Sequence, residues 1–166
     1  MIEIRKATLD DVQGICKVCA DGYQWTYAHL KDKDYIEGVI KEYYNAERVA
    51  KEVQESSHSW NGYFVAVDNG QVIGVGGGGF HNETECELYV LYLDPTRKRE
   101  GIGTKLLDVI TKDQIARGGQ VQWVSVAKGN MMGIPFYEAV GFEFQEEVPD
   151  HYDETEVSLR YKRKIR

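Results

Sequence analysis

Between Leu91 and Leu107 the chain reads LYLDPTRKREGIGTKLL, a stretch whose residue types suit the binding of an anion. An apolar strand that stops at Asp94-Pro95 and a helix that starts near Gly103 enclose a loop whose backbone N–H groups lack partners, because a helix's first turn has no carbonyls to pair with. The helix N-terminus adds roughly half a positive charge, and Arg97, Lys98 and Arg99 add full ones, so phosphate is the anion to expect. Two phosphate loops fail against REGIGTKLL. A dinucleotide fingerprint needs a third glycine where Leu106 stands, and a P-loop needs Gly-Lys-Ser/Thr where the order is Gly103-Thr104-Lys105.

The run KREGIG, Lys98 to Gly103, resembles the Gln/Arg-x-x-Gly-x-Gly/Ala loop of the GNAT family of N-acetyltransferases, which grips the pyrophosphate of acetyl-CoA at a helix N-terminus. Downstream, NMMGIPFYEAVGF, Asn130 to Phe142, is similar to that family's Asn-x-x-small-x-x-Phe/Leu-Tyr-Glu-x-x-Gly-Phe segment. With ELYVLYLDP before the loop and the element order from Ile4 onward, the resemblance covers nearly the whole chain, the first half by pattern alone. Lys98 departs from the family's Gln or Arg, and brings a point charge where arginine would bring a bidentate fork.

The resemblance implies site residues. The N–H groups of Arg99, Glu100, Gly101, Ile102, Gly103 and Thr104 would face the pyrophosphate, with Gly101 and Gly103 admitting the backbone closely. Leu91, Tyr92 and Leu93 would carry the pantetheine arm as a pseudo-strand, and Asn130 would meet the cofactor. Tyr137 falls where the family has a tyrosine near the thioester sulfur, and a phenol is a competent donor to a leaving thiolate; packing beside Phe136 is the competing account. Glu87, and less firmly Glu85, would take the proton of the attacking amine, unless they only face solvent at the strand start. YQWTYAHLKDKDY, with Trp25 and Tyr27, would wall the acceptor site, although Trp25 could equally be core.

The activity so implied is transfer of an acetyl group from acetyl-CoA to a primary amine of a small molecule by direct attack, since no motif places a cysteine for a covalent intermediate. Acetylation of a protein N-terminus or lysine is the alternative within enzymes. A non-catalytic acyl-CoA-binding module, which would not need Tyr137, is the alternative outside them.

Composition sets bounds. The 166 residues read as one domain, 1–166, without disulfides or metal. A net charge of −7 argues against nucleic acid as a partner, and no apolar run approaches the roughly 20 residues that span a bilayer. Three cysteines and the absence of a signal peptide pattern point to the cytoplasm. Cys16-x-x-Cys19 lies at i, i+3 in a helical pattern with no second pair, so two core-facing thiols are expected in place of zinc ligands, and the four histidines are dispersed. A homodimer is left open.

The elements that must position the site follow from periodicity. EIRKA is a strand, and Thr8 caps a helix with Asp11 three residues on. The aromatic stretch YQWTYAHL breaks that helix from a second helical region within Asp34 to Glu55. Asn69-Gly70 joins two strands in a hairpin, and the GGGG run in the second marks a bulge, room for a ligand, or simply a weak strand. ECELYVLYLDP is the longest strand. The helix after it runs to Arg117 and stops at Gly118-Gly119; then come VQWVSVA as a strand, MMGIPFYEAV as a short helix closed by Gly141, and EVSLRYKRKI as a strand. The fold class is mixed α/β, and the resemblance implies a mostly antiparallel central sheet, helices on both faces, and a splay between the two central strands.

Overall fold

A computed structural model describes residues 1–166. Strand β1 (Ile2–Lys6) leads into a capping box, where the Thr8 N–H donates to Asp11 Oδ2 at 2.8 Å; Arg5 Nη1 binds the same oxygen at 2.8 Å. Helix α1 (Val12–Tyr27) buries Ile15, Val18, Cys19, Tyr23 and Tyr27, the spacing of one helical face. It runs through the aromatic stretch assigned above to a break, because Tyr23 and Tyr27 continue the apolar stripe at i, i+4. The second helical region is two helices, α2 (Lys33–Tyr43) and α3 (Ala46–Gln54). Tyr44 leaves helical geometry, and Asn45 caps a new start by accepting from Arg48 N–H at 2.8 Å.

Strands β2 (Tyr63–Asp68) and β3 (Gln71–Phe80) form the hairpin, with Asn69 and Gly70 both at positive φ, 51° and 76°, as a type I′ turn requires. Then follow β4 (Glu85–Leu93), α4 (Ile102–Ala116), β5 (Val121–Ala127), α5 (Gly133–Ala139), β6 (Glu143–Pro149) and β7 (Val157–Lys164). The sequence reading lacks β6. It is one of the sheet's two edges, paired only with β7, and nearly all its side chains are exposed, so it has no apolar alternation to detect.

The strand order is β1-β2-β3-β4-β5-β7-β6, and every pairing is antiparallel except β4 with β5. One core lies between the sheet and α4, around Ile73, Leu88, Leu106 and Ile110; a second lies beneath α1 and α3, around Ile15, Cys19, Val49 and Val65; a smaller third, around Tyr23, Tyr35 and Val39, joins α1 to α2. Cys19 is fully buried and Cys16 half-buried. No helix is long and apolar enough to cross a membrane.

The parallel β4–β5 seam is only four residue pairs long, Glu85↔Val121 to Leu88↔Val124. Buried polar side chains reinforce it: Gln122 Nε2 donates to Gln114 Oε1 at 2.8 Å and to Thr111 Oγ1 at 3.0 Å, and Gln114 Nε2 donates to the Glu87 carbonyl at 3.0 Å. Both glutamines are thus satisfied, which makes their burial tolerable. Opposite the run Gly76 to Gly79 of β3 the ladder has a bulge, its extra residue on β4. A Cβ on Gly78 would strike the Glu87 carbonyl and one on Gly79 the Ser59 carbonyl, so these two glycines admit the chain's own backbone.

Candidate active site

The bulge places the site. Gly78 pairs with Leu88 and Gly77 with Val90, which leaves Tyr89 as the extra residue, and such a bulge bends its strand. Leu88 is also where pairing with β5 ends, so β4 from Tyr89 to Leu93 stays bonded to β3 while β5 diverges. An open strand edge therefore lies inside the sheet. It borders a cleft of about 250 Å³, lined by Leu91, Tyr92 and Leu93 on one side and by Val126, Asn130 and Tyr137 on the other.

At the mouth of this cleft the chain turns sharply into α4, with Arg99 at φ 65° and Gly101 at φ 75°. Lys105 N–H is the first of the helix to find a carbonyl, that of Gly101 at 3.1 Å, while the N–H groups from Arg99 to Thr104 have no protein acceptor. Six consecutive free donors at the positive end of a 15-residue helix form an anion cradle. Nothing lies within 4 Å of where a Gly101 Cβ would be, so the cradle is open on that side.

The three loop cations do not act alike. Arg97 is held by Glu100 at 2.7 Å and Asp68 at 2.9 Å, and so braces the loop against the end of β2. Arg99 is exposed. Only Lys98 lines the cleft, its ammonium 4.2 Å from the centre of the Trp25 ring.

Asn130 is buried and caps α5, its Oδ1 accepting from the N–H groups of Met132 at 3.1 Å and Gly133 at 2.9 Å. Tyr137 is wedged between the rings of Phe136 and Phe142, at 5.1 and 5.4 Å. Burial pushes its phenol above the ordinary tyrosine range, so it keeps its proton, and no hydrogen bond within the protein engages it.

A second cavity, of about 580 Å³, shares Leu88, Tyr89 and Ser125 with the first. Seven tyrosines line it (Tyr23, Tyr35, Tyr43, Tyr44, Tyr63, Tyr89 and Tyr152), together with the carboxylates of Glu52, Glu87 and Asp150. Glu87 is clamped: Arg160 reaches its two oxygens at 2.7 and 3.0 Å, and His81 Nε2 lies 2.7 Å from one of them. The same Arg160 donates to Ser125 Oγ at 2.6 Å, so one side chain of β7 ties β5 to β4 where their ladder stops.

Asp150 accepts from Tyr35 Oη at 2.7 Å, Ser158 Oγ at 3.1 Å and the N–H groups of Tyr152 and Asp153 at 3.0 Å. Burial opposes its charge, but these bonds prevail and hold its carboxyl below the ordinary range. They also fix the loop between β6 and β7 over α2, helped by Lys31 and Glu156 at 3.2 Å.

The sequence-derived residues divide accordingly. Leu91, Tyr92, Leu93, Lys98, Gly103, Asn130 and Tyr137 line the first cleft, and Glu87 lines the second. Glu85 lines neither; its carboxylate takes bonds from Asn82 and Trp123, each at 3.0 Å. Trp25 and Tyr27, expected at the acceptor wall, lie apart from the second cavity. Tyr27 faces the first cleft, and Trp25 is an exposed residue beneath Lys98 that lines neither cavity, because α1 continues through both and carries them to the loop side. Asp150, Glu52, Tyr152 and Arg160 escaped the sequence reading. The only signal that bore on them was the abundance of tyrosine, of which seven of eleven line the second cavity.

A splayed mixed sheet with an amide cradle at the splay defines an acyl-CoA-dependent transferase, and a model of the acetyltransferase (GNAT) family matches residues 25–142. The chain belongs to that family and is an acetyl-CoA-dependent N-acetyltransferase. It is 30% identical over 150 residues to a spermidine N(1)-acetyltransferase of Thermoplasma acidophilum, covering 87% of this chain and 90% of that one. It is 33% identical over 145 residues to YuaI, an uncharacterized N-acetyltransferase of Bacillus subtilis, covering 84% and 79%. Among solved structures, the PaiA N-acetyltransferase of Thermoplasma acidophilum in complex with coenzyme A superposes with a TM-score of 0.86 at 27% identity, covering 99% of each chain. The residues present suit acetyl-CoA: the cradle offers donors to a pyrophosphate, and the open edge of β4 offers main-chain partners to an amide-bearing arm.

Proposed function

We propose that the protein acetylates a primary amine of a small polycationic molecule by direct attack in a ternary complex. The observation that carries this is the second cavity, where seven tyrosines and three carboxylates, two of them paired with Arg48 and Arg160, surround a space that meets the donor cleft at Tyr89 and Ser125. Aromatic faces and carboxylates are what an alkylammonium chain prefers. The resemblance to a spermidine N(1)-acetyltransferase agrees with that chemistry.

Acetyl-CoA supplies the acetyl thioester, whose carbonyl carbon bonds to the amine nitrogen as its bond to sulfur breaks. The chain's residues manage the protons. Glu87, beside the shared residues Leu88 and Tyr89, takes a proton from the ammonium, directly or through water, while Arg160 and His81 keep its carboxylate oriented. Tyr137 Oη gives its proton to the leaving sulfur, and the second proton that the nitrogen sheds as the amide forms restores the phenol, so the one proton released overall is that on Glu87. Lys98 and the N–H groups of Arg99, Glu100, Gly101, Ile102, Gly103 and Thr104 hold the pyrophosphate, and Leu91, Tyr92, Leu93 and Asn130 hold the arm.

The test is a screen of polyamines, aminoglycosides, amino acids and peptides, read as free thiol and checked by mass spectrometry of the amine. Polyamines should lead. Turnover only with peptides would move the activity to proteins, and no thiol release with any amine would leave an acyl-CoA-binding module.

A further inference from the structure

Lys98 is the loop's departure from the pattern it resembles, and its surroundings are specific. Its stem is half-buried, its ammonium rests 4.2 Å from the centre of the Trp25 ring, and no carboxylate pairs with it. Arg97, one residue earlier, is held between Asp68 and Glu100. Trp25 has little packing duty of its own, for it is 46% exposed and borders neither cavity. An exposed indole on the last turns of α1 therefore has one evident partner, a cation that lines the donor cleft.

The chemistry explains the pairing. Glutamine or arginine orients itself on a phosphate by more than one planar N–H, whereas lysine is a point charge on a stem of four rotors and loses that freedom when it binds. An indole face beneath the ammonium localises it beforehand, and leaves its other side free for an anion. Desolvation draws the Lys98 amine below its ordinary range, which is the state an anionic ligand would relieve.

We infer that Trp25 is a positioning residue for the donor site: its ring holds the Lys98 ammonium at the mouth of the cleft, aimed at the pyrophosphate of acetyl-CoA. This rests on the donor cleft proposed above, and the test separates the two. Affinity is measured by calorimetry for acetyl-CoA, and by thermal shift at millimolar concentration for acetyl-pantetheine, which has the thioester and arm but no pyrophosphate. The proteins are the parent, Trp25→Leu, Trp25→Phe, Lys98→Met and the double variant Trp25→Leu with Lys98→Met.

Trp25→Leu should weaken acetyl-CoA by about threefold to fivefold, the scale of a cation held on an exposed ring. Trp25→Phe should recover most of that loss. The double variant should bind no more weakly than Lys98→Met alone, and acetyl-pantetheine should bind all five proteins equally. If Trp25→Leu weakens both donors alike, or adds its effect to that of Lys98→Met, the ring is only part of the cleft's wall and the inference fails. Lys98→Met binding acetyl-CoA as the parent does would overturn the inference and spare the cleft. A parent that binds neither donor would overturn the cleft, and this inference with it.

Discussion

The two cavities meet at Leu88, Tyr89 and Ser125, yet they are made of different material. The donor cleft is largely backbone: six free N–H groups, an unpaired strand edge and a left-handed glycine. The second cavity is side chains, delivered by α1, α2, α3, β2, β4, β5, β7 and the loop after β6. A backbone site asks only that a few residues permit a conformation, so it survives wide changes elsewhere. A side-chain site is rewritten by every substitution in its wall. One donor with many acceptors is what this division allows.

If the division holds, each variant should disturb one cavity and spare the other. The largest effect belongs to Tyr137→Phe, which strikes the transfer between them. Since the phenol has no protein partner to orphan, turnover should fall by about a hundredfold to ten-thousandfold, with acetyl-CoA affinity and melting temperature unchanged. Near-parental turnover would return Tyr137 to the core. Arg160→Ala should come next. It leaves the buried Glu87 carboxylate with His81 alone, and urea denaturation should show a loss of about 3 kcal/mol. An unchanged midpoint would mean that the clamp adds no net stability.

Gly101→Val should strike the donor cleft only. The parent should gain about 2.7 kcal/mol of stability at a hundredfold excess of acetyl-CoA over its Kd, and the variant none, because valine tolerates neither φ 75° nor a close phosphate. Undiminished stabilisation would reduce the loop to a turn.

The smallest effect is Asp150→Asn, in the wall of the second cavity. Because folding depresses the Asp150 carboxyl, its contribution is complete above the unfolded value and is lost as pH falls through the lower folded one. The parent's melting temperature should therefore decline at acid pH with a component that the asparagine variant lacks, and the variant should raise KM for the amine but not for acetyl-CoA. The reverse pattern in KM would erase the contrast between the cavities.

That contrast also explains what the sequence reveals. Lys98 to Gly103, the Asn69-Gly70 turn and the stop at Gly118 are local, since each rests on φ angles and on residues a few positions apart. The second cavity is not local. Tyr35 and Asp150 are 115 residues apart, Glu87 and Arg160 are 73 apart, and no spacing within one element announces either pair. The same holds for errors of structure. The split between α2 and α3 hangs on a single capping side chain, Asn45, and β6 hides because an edge strand needs no apolar face. Trp25 and Tyr27 read as part of a connection between helices because of their aromatic neighbours, whereas α1 carries both.

The short seam between β4 and β5 bears on how the protein comes apart. Residues 121–164 form a contiguous block of three strands and a helix, joined to β4 by four ladder pairs and the ties of Trp123 to Glu85 and Arg160 to Glu87, to α4 by Gln122 and Arg163, and to α2 by Asp150. A joint that short opens at a lower free energy than the antiparallel ladders on either side, so amide exchange along β5 should proceed through partial opening of this block while β2 and β3 wait for global unfolding. Acetyl-CoA laid along the open edge would touch both sides of the joint. Its binding energy would then oppose this opening and couple the block to the strands on the far side of the joint.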